Sequence, residues 1–200
     1  MSKLIVSNLS CQRGYNELFR NLSFELNSGE ILKISGANGS GKTSLLKILA
    51  GLNSAESGKL SINNNKVGSY DYQSDIFYLG HLPALSAELY CKENLDYLTQ
   101  LNNISFNQTL DEALINVGLN NFENEYAANL SAGQKRRVVL SALFITQAKV
   151  WLLDEPFTAL DTDGINVIET QITKHCDDGG ICILTTHQQS NLPKLRTLTL

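Results

Sequence analysis

Gly36-Ala37-Asn38-Gly39-Ser40-Gly41-Lys42-Thr43 has the spacing G-x-x-x-x-G-K-[ST], and Ser44 follows it directly. Residues of these types in this order suit a polyphosphate. The glycines let the backbone turn tightly and turn several N–H groups toward one anion. A helix that starts at the end of the loop adds the positive end of its dipole. Lys42 has the length to reach the β- and γ-phosphates, and the Thr43 hydroxyl is a hard oxygen ligand for the accompanying Mg²⁺. The expected ligand is therefore a nucleotide, with its metal.

A second group of acids lies far downstream. Val150-Trp151-Leu152-Leu153 is wholly apolar and runs into Asp154-Glu155. A strand of that kind is buried on both faces, and its acids emerge at the carboxyl end, where ligands bind in parallel sheets. Asp154 is expected to complete the Mg²⁺ shell. Glu155 is expected to orient or deprotonate an attacking water. Taken alone, two acids at a strand end are ordinary solvated caps. The phosphate loop in the same chain favours the catalytic reading.

The elements that position these groups are legible. Ile31–Ser35 reads as a short buried strand before the loop, and Ser44–Ala50 as a helix after it, with Gly51 as its stop. Lys3–Leu9, Leu22–Leu26 and Gly58–Ile62 read as short strands, which suggests a small antiparallel sheet beside the nucleotide. Asp75–Leu79 reads as a core strand ending at Gly80-His81. After His81 the pattern turns helical. Thr109-Leu110-Asp111-Glu112 is a capping box, followed by Leu110, Leu114 and Val117 at helical spacing. Ser131-Ala132-Gly133-Gln134 is a second capping box, opening a long helix to about Ile145. Ile165, Ile168 and Ile172 mark a further helix, and Ile181–Thr185 another buried strand. Strand and helix alternate through this half, which predicts an α/β fold with a mostly parallel sheet. A helical insertion, about residues 82 to 135, interrupts a core formed by about 1 to 81 and 136 to 200.

The bulk properties narrow the class. A chain of 200 residues suits one domain with a subdomain. A net charge of −4 argues against nucleic acid as the main partner. Met1-Ser2-Lys3 runs at once into an alternating segment, so no signal peptide is expected, and no apolar run is long enough to span a bilayer. The four cysteines share no C-x-x-C spacing and read as buried reduced thiols.

Several of these stretches together resemble the ATP-binding cassette (ABC) family. Leu130-Ser131-Ala132-Gly133-Gln134 resembles its signature, with Ala132 where Gly is usual. Asp154-Glu155-Pro156, Thr158-Ala159-Leu160-Asp161 and Thr185-Thr186-His187 follow in the family's order, and the resemblance covers nearly the whole chain. It implies a P-loop core with a small antiparallel β-subdomain and a helical subdomain. It also implies two copies closing head to tail around two ATP molecules. Ser131, Gly133 and Gln134 of one copy would then face the γ-phosphate held by Lys42 of the other. His187 would be the switch histidine at the γ-phosphate, and Asp161 would lie at the seam between copies. Lys135-Arg136-Arg137 reads equally well as added positive potential or as a solvated helix face.

The sequence departs from the family pattern at two positions. His81 stands where a Gln is usual; a neutral imidazole can accept or donate a hydrogen bond, so sensing of a membrane partner can survive there. Spacing also places Arg13, with Tyr15 two residues on, where an aromatic ring is usual under the adenine. Within the family the residues look most like the branch serving haem export in cytochrome c maturation. That likeness implies an ATPase held peripherally on the cytoplasmic face of the inner membrane by an integral permease subunit. A cassette for another cargo shares the same ATP residues. A soluble mechanochemical ATPase and a P-loop kinase remain as rivals from other classes.

Overall fold

The computed structural model describes residues 2–101 and 109–200. Residues 102–108, part of the expected helical insertion, lie outside the described residues.

The chain begins with a long hairpin, β1 (Lys3–Arg13) and β2 (Asn16–Asn27), followed by β3 (Ile31–Ser35), α1 (Lys42–Leu49), β4 (Ser57–Ile62) and β5 (Asn65–Lys66). Next come α2 (Tyr70–Ser74), β6 (Ile76–Leu79), α3 (Cys91–Leu101), α4 (Leu110–Asn116) and α5 (Ala132–Ser141). The chain closes with β7 (Val150–Asp154), α6 (Thr162–Asp177), β8 (Ile181–Thr185) and β9 (Leu195–Thr199).

Two sheets result. One is antiparallel, in the order β2-β1-β4-β5, and the other is parallel, in the order β6-β7-β8-β3-β9. The early strands are longer than the alternation alone indicated, because β1 and β2 pair along almost their full length through several register shifts. The edge strand β9 was not foreseen; Leu195 and Leu198 are only half-buried, so its apolar signal is weak.

The parallel sheet separates two cores, and the period of two along each strand divides the side chains between them. Trp151 and Leu153 of β7, Cys182 and Leu184 of β8 and Phe77 and Leu79 of β6 face a core completed by α5, α6 and the helical insertion. Val150, Leu152, Ile181 and Ile183 face the opposite core, shared with α1 and the antiparallel sheet. The apolar runs of β7 and β8 are thus buried on both sides, as parallel strands require.

Both capping boxes form, Thr109 with Glu112 on α4 and Ser131 with Gln134 on α5. The long helix expected to Ile145 instead leaves α-geometry at Ser141 and tightens into a 3₁₀ turn over Ala142–Phe144. The Ser141 hydroxyl donates back to the Val138 carbonyl at 2.6 Å, a local bond that competes with the helical ladder. All four cysteines are buried and free.

Candidate nucleotide site

The phosphate loop spans the gap between β3 and α1, at the carboxyl end of the parallel sheet. Gly41 is the N-cap of α1, with φ of 103°. A side chain there would be strained, and its Cβ would lie 3.0 Å from that of Leu18. Lys42 folds over its own loop, its Nζ donating to the carbonyls of Gly36 at 2.8 Å and Ala37 at 3.0 Å.

The strand order places β8 between β3 and β7 and so brings the acids to this loop. Asp154, at the end of β7, is 2% exposed. Its Oδ2 accepts from the Thr43 hydroxyl at 2.8 Å and its Oδ1 from the Thr185 hydroxyl at 2.8 Å. Thr185, paired with Asp154 in the sheet register, also accepts the Glu155 N–H at 2.9 Å. Glu155 itself has φ of 51°, a left-handed conformation that costs a non-glycine residue about 1–2 kcal/mol. Its carboxylate accepts from the His187 N–H at 3.3 Å, and His187 Nε2 lies 3.5 Å from Oε1.

These groups line one cleft of about 740 Å³, a size suited to a small-molecule ligand. Asn38, Gly39, Gly41, Lys42, Thr43 and Ser44 contribute from the loop side, and Asp154, Glu155, His187 and His81 from the opposite side. Arg13 also lines the cleft, whereas its competitor Tyr15 is fully exposed in the turn after β1. Thr43 and Asp154, the residues expected to hold the metal, offer few and hard oxygen donors, a set that fits Mg²⁺ bound largely through phosphate and water.

The remaining sequence-predicted residues are not among those lining this cleft. Ser131 caps α5, accepting from Gln134 N–H at 3.2 Å, while Gln134 Oε1 accepts from the Ser131 N–H at 2.9 Å. Gly133 packs against the Ala159 carbonyl, which a Cβ would approach to 2.7 Å. Asp161 caps α6 and pairs with Arg137. The Gly164 N–H and the Arg137 guanidinium hold its carboxyl below the usual range.

Two site residues were not singled out from the sequence. Thr185 appeared there only as part of a strand and a motif. Its role follows from the sheet register, which a linear sequence does not display. Arg136 is not on a solvated face: it is 2% exposed and donates to backbone carbonyls beside the acids. Its signal was available in the helical spacing to Val139 and Leu140, which places it on the buried side of α5.

The family model for ABC transporters matches residues 19–158. The chain belongs to the ABC transporter family. Over its whole length this cassette is 42% identical to the cytochrome c biogenesis ATP-binding export protein CcmA of Haemophilus ducreyi, spanning 97% of that protein. It is 42% identical to the protein of the same name from Vibrio cholerae, over 98% of each chain. Its fold matches a dimeric ATP-binding cassette solved in a post-hydrolysis state with ADP and Pi, with a TM-score of 0.79, 23% identity and coverage of 92% of this chain and 88% of that one. As a member of the family, the cassette binds ATP and couples its hydrolysis to transport. Among the described residues no helix is long and apolar enough to cross a membrane.

Proposed function

We propose that this cassette is the ATPase that energises haem export or delivery for cytochrome c maturation. ATP would lie in the cleft with its phosphates on the Gly36–Thr43 loop and Lys42, and Arg13 is the candidate to stack on adenine. Mg²⁺, held by Thr43 and Asp154, would neutralise developing charge on the phosphate oxygens. Glu155 would take a proton from a water whose oxygen attacks the γ-phosphorus. The bond to the β-phosphate oxygen breaks, and ADP and phosphate leave. His187 would hold the Glu155 carboxylate and meet the γ-phosphate.

The observation that carries this mechanism is the hydrogen-bonded chain Thr43–Asp154–Thr185–Glu155, which joins the loop side of the cleft to the acids opposite it. Identity to the CcmA proteins over essentially the full chain supports the cargo.

Ser131, Gly133 and Gln134 are not among the residues lining the cleft that holds Lys42, which fits a site completed by a second copy head to tail. The dimeric state of the ADP-bound cassette of like fold supports that assembly. Asp161 would then lie at the seam. The cassette would form one domain, core about 1–81 and 136–200 with a helical subdomain about 82–135. An integral permease subunit would hold it peripherally on the cytoplasmic face of the inner membrane, and His81 would take the place of the usual sensing Gln.

The test is made in cells. Glu155→Gln replaces the native gene, and covalently attached haem is measured in c-type cytochromes. Loss of that haem, restored by wild type, is expected. Normal cytochromes alongside an expressed, hydrolysis-dead variant would assign the cassette to another cargo.

A further inference from the structure

Arg136 lies on α5 at 2% exposure. A guanidinium has five N–H donors, and five main-chain carbonyls receive them. Nε donates to Pro156 at 3.3 Å; Nη1 to Gly80 at 2.9 Å and His81 at 3.3 Å; Nη2 to Asp154 at 2.9 Å and Glu155 at 2.8 Å. Burial lowers its pKa to about 10, and the nearby charges of Asp154 and Glu155 offset part of that cost. It remains a cation.

The acceptors belong to two separate segments. One nitrogen serves the loop after β6, which carries His81, and another serves the turn after β7, which carries Glu155. The guanidinium is planar and rigid, so it fixes the spacing of the two segments. Glu155 is also where the main chain is left-handed, held through its N–H by Thr185 and through its carbonyl by Arg136. Strain of this kind persists only where surrounding contacts over-determine it.

We infer that Arg136 is a positioning residue that ties the His81 loop to the main chain of Glu155, so that a displacement of one is carried to the other. It aims the carboxylate without touching substrate. This inference rests on the reading of Glu155 as the catalytic base. The alternative is a buried arginine that only stabilises the fold.

Arg136→Lys keeps the charge but offers three donors in place of the five-donor fork. Wild type, Arg136→Lys, Glu155→Gln and the double variant are compared for ATP affinity and single-turnover hydrolysis with Mg²⁺. Turnover of Arg136→Lys is expected to fall on the order of 10²-fold, the effect of misplacing a catalytic group by about 1 Å. Its ATP affinity is expected to change less than about threefold, because the loss is confined to the chemical step. The double variant is expected to be no slower than Glu155→Gln alone, because residues acting as one unit are not additive. The same fold-loss in both backgrounds, or a loss confined to affinity, would overturn the inference. If Glu155→Gln hydrolyses at the wild-type rate, the base assignment itself fails, a separate outcome.

A second measurement needs no Arg136 variant. The guanidinium N–H resonances of Arg136 in the wild-type protein are followed by NMR as a non-hydrolysable ATP analogue is added. They are expected to shift as the two carbonyl sets move. Resonances unmoved at saturation would contradict the coupling.

Discussion

The Thr43 hydroxyl on α1 donates to Asp154 Oδ2 at the end of β7, 2.8 Å away across 111 positions of sequence. This bond joins the phosphate loop to the acids and places the hard oxygen donors of the cleft side by side. It exists because β8 alone separates β3 from β7, so that two strand ends far apart in the chain open onto one space.

Lys42→Ala should cost nucleotide affinity at least about tenfold, since a charge-assisted hydrogen bond contributes about 1.5–3 kcal/mol. The Lys42 ammonium sits over the loop on the carbonyls of Gly36 and Ala37, within reach of a phosphate placed there. Calorimetric titration with Mg-ATP checks this, and unchanged affinity would contradict the loop assignment.

Thr185→Val should destabilise the fold by about 2 kcal/mol, because the Asp154 carboxylate and the Glu155 N–H each lose a partner in a buried setting. Thr185→Ser, which keeps the hydroxyl, should recover most of that loss. Urea unfolding followed by the fluorescence of Trp151, the single tryptophan, measures both.

Much of this site is legible in the sequence. The loop motif, the apolar strand ending in Asp154-Glu155 and the two capping boxes are local patterns, and each forms where the spacing placed it. What escaped is non-local. Thr185 acts through its register opposite Asp154, and β9 is an edge strand with a weak apolar signal. Arg136 sits beside two other cations, so its burial is visible only when helical phase outweighs charge. Gly133 reads as a signature residue, but its close approach to the Ala159 carbonyl belongs to the packing of α5 against the turn before α6.

Ser131→Ala should leave ATP binding to a single copy unchanged, because Ser131 is not among the residues lining the cleft. Loss of the N-cap costs about 1 kcal/mol of stability. Turnover should fall at least about tenfold if the hydroxyl meets the partner's γ-phosphate as an oxyanion-type donor. Unchanged turnover would argue against a composite site.

His175 stacks on Trp151 with ring centroids 3.8 Å apart, and burial lowers its pKa from 6.5 to about 4. The folded state therefore holds it neutral where the unfolded chain binds a proton. Its contribution to stability is present above pH 6.5 and is lost as the pH falls toward about 4. Unfolding free energies measured across this range should decline more steeply in wild type than in His175→Gln. Equal slopes would contradict the assignment.

Hydrolysis of Mg-ATP by purified wild type and Glu155→Gln, with nucleotide binding measured on the same samples, tests the catalytic centre most directly. The variant should bind ATP at near wild-type affinity and hydrolyse it at least about 10²-fold more slowly, the scale of a lost general base. Light scattering should find it accumulating as a dimer with ATP. Hydrolysis at the wild-type rate would remove Glu155 from the mechanism and contradict the site built around it.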